Sequence, residues 1–406
     1  MSKFAFGTYR ISDYNLQHIQ ALKEALHSGI TMIDTSSNYM DGGAERAIAL
    51  ALKEFDASKR ESIEIVSKVG YIQGQNMQTH QENPFDEVVL YDPNCFHSIA
   101  PSFIEQQLSA SLERLQTHYL DCYLLHNPEY FLLDAINRGI AKDERLDGMY
   151  ERIYRAFVAL EKEVANKRIL SYGISSNSFA KESSDEEFLP YEDLVILATN
   201  AAESLGHKEH SFTTIQLPIN LLEQEGLKCA SWAKANGLRV LANRPLNAIK
   251  DNQMYRLAEY EESREYYHHL NELLEVSDNE LLQPLYNLLE ELDDSKHKFG
   301  WVGDYEAFLY AQILPHIKNV LIKITNEESR DVLLNFIEMF LNEYKNMVAY
   351  ECGIKTRGAL QAKVCDIGET LQECALKFLM QRAEIDRILV GMRKPSYVNE
   401  VLALEC

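Results

Sequence analysis

Residues 121–126 read Asp-Cys-Tyr-Leu-Leu-His, and residues 63–68 read Ile-Glu-Ile-Val-Ser-Lys. Each is a short, strongly apolar run that ends on a polar side chain. A strand wetted on one face alternates apolar and polar residues, whereas one covered on both faces is apolar nearly throughout. These two runs are therefore expected to be parallel strands, buried on both sides. Working outward, the same form recurs at Phe4–Thr8, Thr31–Asp34, Leu170–Ser175, Thr214–Pro218, Arg239–Asn243 and Arg387–Val390, which makes eight strands.

Helical patterns lie between the strands. Asn15–His27 carries Leu16, Ile19, Leu22 and Leu26 at the spacing of one helix face. Ala44–Phe55, Ser102–Leu115, Tyr150–Asn166, Tyr191–Leu205, Leu227–Asn236 and Thr370–Arg382 have similar patterns. Gly29 and Gly237 fall just past two helix ends, where a left-handed cap is expected. Alternation of strand and helix defines an α/β fold, and eight repeats favour a closed (β/α)8 TIM barrel over an open doubly wound sheet. No G-x-G-x-x-G follows the first strand, so a Rossmann site has no support.

The regular spacing breaks after the seventh strand. Residues 250–365 are rich in Glu, Leu and Tyr and poor in Gly and Pro. Helical patterns run through Arg256–Leu274, Asn279–Leu292, Tyr305–Ile313 and Asp331–Tyr344. A plain loop of that length is not expected in a compact domain. The segment reads as a helical insertion between strand seven and the next helix, within one barrel covering 1–406. Shorter insertions follow strand three (Tyr71–Pro101) and strand four (Asn127–Gly148).

The chain has 406 residues, 46% of them hydrophobic and 25% charged, with a formal net charge of −22. That balance disfavours a broad nucleic-acid or anionic-membrane footprint but leaves room for a local basic pocket. No apolar run reaches membrane-span length, and the N-terminus shows no signal core. The seven cysteines are at 95, 122, 229, 352, 365, 374 and 406, and none has C-x-x-C spacing. Reduced thiols in a cytoplasmic protein are the plain reading, with no disulfide framework and no metal site.

Chemistry in such a barrel sits at the C-terminal ends of the strands. Strand two ends near Asp34 and Tyr39, strand three on Lys68 and strand four on His126. Strand five leads into Ser176 and Asn177, and strand six carries Gln216. Tyr, Lys, Asp and His together suit proton transfer. A free phenol has a pKa of about 10, and a nearby ammonium is expected to lower it. The carboxylate would keep that ammonium charged, and the imidazole could bond a substrate oxygen or relay a proton. Such a group would protonate a carbonyl oxygen as hydride reaches carbon. The chain has no hydride of its own, so a nicotinamide cofactor is implied.

The motifs G-I-T-M-I-D-T-S-S-N-Y (29–39), Lys68, L-L-H-N-P-E (124–129) and G-I-S-S-N (173–177) together resemble the aldo-keto reductase family. F-G-T-Y-R (6–10) and I-L-V-G-M-R-K-P-S-Y-V-N-E (388–400) resemble it too. The resemblance implies that Asp34, Tyr39, Lys68 and His126 are a catalytic tetrad. It implies that Ser176, Asn177 and Gln216 hold the nicotinamide carboxamide, with Gly7, Thr8 and Tyr9 also at the cofactor. Arg244, Pro245 and Leu246 would belong to the loop over the pyrophosphate. Gly391, Arg393, Tyr397 and Glu400 would form the adenosine end. There Arg393 suits a 2′-phosphate, which favours NADP(H) over NAD(H); Lys394 beside it could serve instead.

The chain departs from the family's pattern at three places. Glu45 falls one residue late, Val401 stands where Asn commonly follows Glu400, and the insertion is long. The implied function is NAD(P)(H)-dependent interconversion of a small-molecule carbonyl and alcohol. The alternative is a nicotinamide-binding regulatory or redox-sensing subunit that uses the insertion as a partner surface. Elsewhere, His268–His269 lacks a second ligand pair at helical spacing and reads as a solvated helix face. Tyr266, Tyr267, Tyr305 and Tyr310 could line a lid or pack a helical subdomain.

Overall fold

The computed structural model describes residues 2–275, 282–360, 365 and 368–405. The eight expected strands form: Phe4–Gly7 (β1), Met32–Asp34 (β2), Glu64–Val69 (β3), Cys122–His126 (β4), Tyr172–Ser175 (β5), Phe212–Pro218 (β6), Arg239–Asn243 (β7) and Arg387–Val390 (β8). They close into a barrel in chain order, with β8 paired to β1, and every pairing is parallel. Helices follow the strands at Leu16–His27, Gly43–Leu52, Pro101–Leu115, Lys142–Ala165, Leu194–Ser204, Gly226–Ala235, Leu371–Met380 and Pro395–Leu402. Gly29 and Gly237 are left-handed, with φ of +95° and +73°.

Strand periodicity explains where the site forms. Ala5, Met32, Val66, Cys122, Leu124, Leu241 and Leu389 form one buried cluster. Side chains two residues apart share a face. Asp34 follows Met32, Lys68 follows Val66, and His126 follows Leu124 at that interval. The residues that fill the barrel therefore continue, at its C-terminal mouth, into these three polar side chains. Gly173 is dictated by contact, because a Cβ there would lie 2.0 Å from the Thr214 carbonyl oxygen.

Two connections on the mouth side carry structure of their own. The segment after β3 folds into a three-stranded antiparallel sheet of Tyr71–Ile72, Val89–Asp92 and Cys95–His97, with a helix at Gly74–Glu82. After β4, a helix at Tyr130–Asn137 precedes the long one, which starts at Lys142 rather than at the expected Tyr150. Its first two turns are mostly polar, so the apolar spacing that marks a helix begins late.

The chain divides into two compact units, Met1–Pro245 with Lys377–Cys406, and Leu246–Leu376. The helical segment expected over 250–365 lies inside the second. That unit opens with a hairpin, Asn247–Lys250 and Gln253–Arg256, so Arg256 ends a strand and the first helix starts at Arg264. The hairpin's turn residues, Asp251 and Asn252, both have positive φ, which is the two-residue turn that matches strand twist. Asn279, the expected start of the next helix, lies outside the described residues. Helices follow at Gln283–Ser295, Val302–Phe308, Leu314–Leu321 and Glu327–Ala359. Their core includes Tyr266, Leu289, Tyr305, Phe340 and Tyr344. Tyr266 and Tyr305 are thus packing residues, whereas Tyr267 and Tyr310 are exposed.

Two expectations are corrected. His268 is exposed, but His269 is buried, and its Nδ1 lies 3.1 Å from Glu272; one side of this helix packs inward. The thiols are not all reduced, because Cys365 and Cys374 form a disulfide. Their Cα atoms lie 5.4 Å apart, well inside bridging range. Absence of C-x-x-C spacing says nothing about such an approach. Cys95, Cys122, Cys229 and Cys352 are free and buried. Among the described residues no helix is long and apolar enough to cross a membrane.

Candidate active site

Lys68 is fully buried. Its Nζ donates to the Asp34 carboxylate at 2.8 Å, to the Thr35 carbonyl at 2.7 Å and to the Tyr39 hydroxyl at 3.3 Å. Three acceptors match the three protons of an ammonium. Burial pulls the Lys68 pKa down, and Asp34 opposes that pull. Asp34 also accepts from Gln216 Nε2 at 2.7 Å, while Gln216 Oε1 accepts from the Ser175 hydroxyl at 2.9 Å. Thr8 ties β1 to the same point, its hydroxyl donating to the Asp34 carbonyl at 2.9 Å.

Tyr39 is half-buried, with Tyr9 edge-on at 5.2 Å and His126 at 6.0 Å between ring centroids. Its pKa lies well above the ordinary phenol value, through burial first and then the charge of Asp34. The expected lowering by Lys68 is therefore reversed here. Lys68 is engaged by Asp34 and Thr35, and desolvation of the phenolate outweighs its pull. Tyr39 is accordingly a neutral O–H donor.

His126 is also neutral, since burial, with Lys68 and His97 adding to it, holds its pKa well below 6.5. A chain of bonds specifies its tautomer. Asn38 Nδ2 donates to Gln73 Oε1 at 3.1 Å, and the Ser36 hydroxyl donates to Asn38 Oδ1 at 2.7 Å. Ser36 has one proton, so at its 3.1 Å contact with His126 Nδ1 it accepts. Nδ1 therefore carries the imidazole proton, and Nε2 is an acceptor. His97, buried and held down to about 4 by desolvation, bonds the His126 carbonyl through Nε2 at 2.7 Å. Tyr71 packs edge-on against the His126 ring at 4.7 Å. Its hydroxyl accepts from Asn127 Nδ2 at 2.5 Å and shares a 2.9 Å bond with Tyr130.

Gly7 ends β1 opposite Asp34, and Tyr9 is 65% exposed at the mouth. Ser176 N–H donates to the Gln216 carbonyl at 3.0 Å, and the Ser176 hydroxyl accepts from Ser178 N–H at 3.1 Å. Asn177 Nδ2 reaches Asn127 Oδ1 at 3.4 Å. Arg244 has a φ of +51° and bonds Glu223 at 2.6 Å. Pro245 is buried. Leu246 opens the second unit, where its carbonyl accepts from Leu257 N–H at 2.9 Å. Gly391, Arg393 and Glu400 are exposed at and just after the end of β8, and Tyr397 lies 5.5 Å from the Lys394 ammonium.

The late Glu45 has a local explanation. Met40, Asp41 and Gly42 are consecutive left-handed residues, with φ of 50°, 53° and 78°, and they take up the extra residue. Glu45 is fully buried and accepts from Ser67 at 2.7 Å and from Arg114 at 2.6 Å. The extra residue changes only the loop, and the carboxylate anchors the outward face of β3. Sequence reading passed over Ser36, Tyr71, Gln73, His97 and Glu129. Ser36 and Glu129 lie inside quoted motifs, whereas the other three sit in the connection after β3, which has no motif to mark them.

The "Aldo/keto reductase family" pattern matches residues 3–405; the chain belongs to that family. Two curated relatives are methylglyoxal reductase YeaE and an NADH-specific methylglyoxal reductase, both from Escherichia coli. Each is 30% identical, over 162 and 169 residues, covering 40% and 39% of this chain. The matches span 40% and 49% of those relatives' own lengths. A solved aldo-keto reductase from Bacillus halodurans, in its holo form, shares 15% identity and a TM-score of 0.48. That comparison covers all of this chain and 87% of the other.

Proposed function

We propose that this chain is a nicotinamide-dependent oxidoreductase that interconverts a carbonyl compound and its alcohol, with Tyr39 as the proton donor and acceptor. The observation that carries the reading is Lys68, buried and bridging Asp34 to the Tyr39 hydroxyl. The residues present suit the cofactor. Ser176, Asn177 and Gln216 offer hydroxyl and amide groups at two adjacent strand ends, complementary to a carboxamide. Beside them, Asn243 Oδ1 is buried with no hydrogen-bond partner. The exposed Arg393 and Lys394 suit phosphate, and Arg393 favours NADP(H) over NAD(H).

Bound nicotinamide would supply or take the hydride. The chain's own residues handle the proton. Tyr39, a neutral donor, gives its proton to the carbonyl oxygen as that oxygen gains charge. The Lys68 ammonium, 3.3 Å from the Tyr39 oxygen, then stabilises the phenolate left behind. Asp34 and Thr35 keep the ammonium charged and aimed. His126 has its proton on Nδ1, turned to Ser36, so Tyr39 is the proton donor of the two.

The test is Tyr39→Phe. Loss of the proton should lower turnover by about 10²–10⁴-fold, with NADPH and NADH binding unchanged by fluorescence titration. A panel of small aldehydes should begin with methylglyoxal, the substrate named for the two relatives. Undiminished turnover in Tyr39→Phe would sink the assignment, as would a wild-type protein that binds neither cofactor.

A further inference from the structure

Glu129 is a buried carboxylate that the proton chemistry does not use. It follows His126 by three residues and is 2% exposed. Its Oε1 accepts from two backbone amides beyond the end of β5, Asn177 N–H at 3.0 Å and Ser178 N–H at 3.3 Å. Its Oε2 is buried, and the Ser176 side chain also favours the charged form of this carboxylate. A Gln would fill the same space and satisfy the same amides without burying a charge.

What the charge does bring is grip. Charge-assisted bonds are shorter and about twice as strong as neutral ones. The bonds tie the loop that follows His126 to the turn that carries Ser176 and Asn177. A second tie runs parallel, Asn127 N–H to the Ser175 carbonyl at 2.7 Å.

We infer that Glu129 is a positioning residue, whose carboxylate clamps the Ser176–Asn177 turn in the geometry that receives the nicotinamide carboxamide. The inference rests on the proposed cofactor site. It makes cofactor affinity depend on the ionisation of Glu129. Burial pushes that carboxyl up to about 7, against the lowering effect of the bonds it accepts, so the clamp is tight above that pH and slack below it. The ionisable groups facing Glu129 are the Tyr71 and Tyr130 phenols, both held up by burial. His97, beyond them, is held near 4. All three stay neutral through this range. Asn127, Ser176, Asn177 and Ser178 carry no charge.

The experiment titrates wild type and Glu129→Gln with NADH from about pH 6 to about pH 8. NADH is used because a 2′-phosphate would itself titrate near pH 6. Wild type should bind about tenfold more tightly at the upper end. Glu129→Gln should bind about tenfold more weakly than wild type at pH 8, with a flat pH profile. Its KM for the carbonyl substrate at saturating cofactor should be unchanged. A merely structural Glu129 would alter thermal stability without moving that profile. If wild type binds no cofactor, the proposed function falls, and this inference with it. If wild type binds and Glu129→Gln matches it at every pH, only this inference is overturned. If Glu129→Gln does not fold, the wild-type profile decides, and an affinity flat across that range overturns the clamp.

Discussion

Lys68→Met keeps most of the side chain's volume and removes all three of its donors. Asp34, buried at the barrel mouth, then keeps only the 2.7 Å bond from Gln216 and the charge loses its counterion. Breaking a buried pair by removing one partner costs about 3–5 kcal/mol. The surviving bond to a charged group offsets roughly 1.5 kcal/mol or more, so the lower end, about 3 kcal/mol, is expected. That is a large share of the roughly 5–15 kcal/mol that holds a domain folded. The deficit comes from a buried carboxylate left without its counterion. Adding Asp34→Asn should recover more than half of it while leaving the protein inactive. Urea unfolding reads this out: Trp232 belongs to the barrel and Trp301 to the helical unit, so a Trp301→Phe background isolates the barrel's fluorescence. A Lys68→Met variant within about 0.5 kcal/mol of the parent, or a double variant weaker than the single one, would refute the charge argument.

Acid stability provides a second test. His97 is held at about 4 against an ordinary 6.5, so the unfolded chain binds its proton first. The stability it contributes is complete above about pH 6.5 and is lost as pH falls towards 4, about 3 kcal/mol in all. His97→Gln should flatten that acid limb in a denaturant series, and an unchanged limb would show that His97 titrates normally. The disulfide gives a third test: Cys365→Ser opens a short loop in the helical unit, at a cost of about 3 kcal/mol. The Trp301 unfolding transition should shift by that amount, as it should for the parent protein under reductant; identical transitions would argue against the bond.

All eight strands were legible because parallel barrel strands are apolar throughout and end on polar residues, as at Lys68 and His126. The meeting of Asp34, Lys68, Tyr39 and His126 could also be read, since each follows a strand end closely. Tertiary effects could not. The rise in the Tyr39 pKa depends on how much water the fold excludes, and sequence shows only that an ammonium is near. The turn at Asp251–Asn252 was readable in principle from two residues that tolerate positive φ, but the helical pattern around it dominated. The Cys365–Cys374 bond required knowing that the two Cα atoms come within 5.4 Å, which spacing alone does not reveal. His97 and Tyr71 reach the site from a small sheet whose strands, two to four residues long, are too short to show a period.

The placement of the helical unit also bears on how the nascent chain folds. The barrel closes only when β8 pairs with both β1 and β7, yet the Leu246–Leu376 unit is synthesised between β7 and β8. At roughly 5–20 residues per second, the ribosome spends roughly 7–26 s on that stretch. During this time seven strands are present with the edges of β1 and β7 unpaired, and unpaired strand edges are templates for intermolecular pairing. Until β8 is made, both edges of the seven-stranded precursor stay open, and slow translation across 246–376 lengthens that exposure.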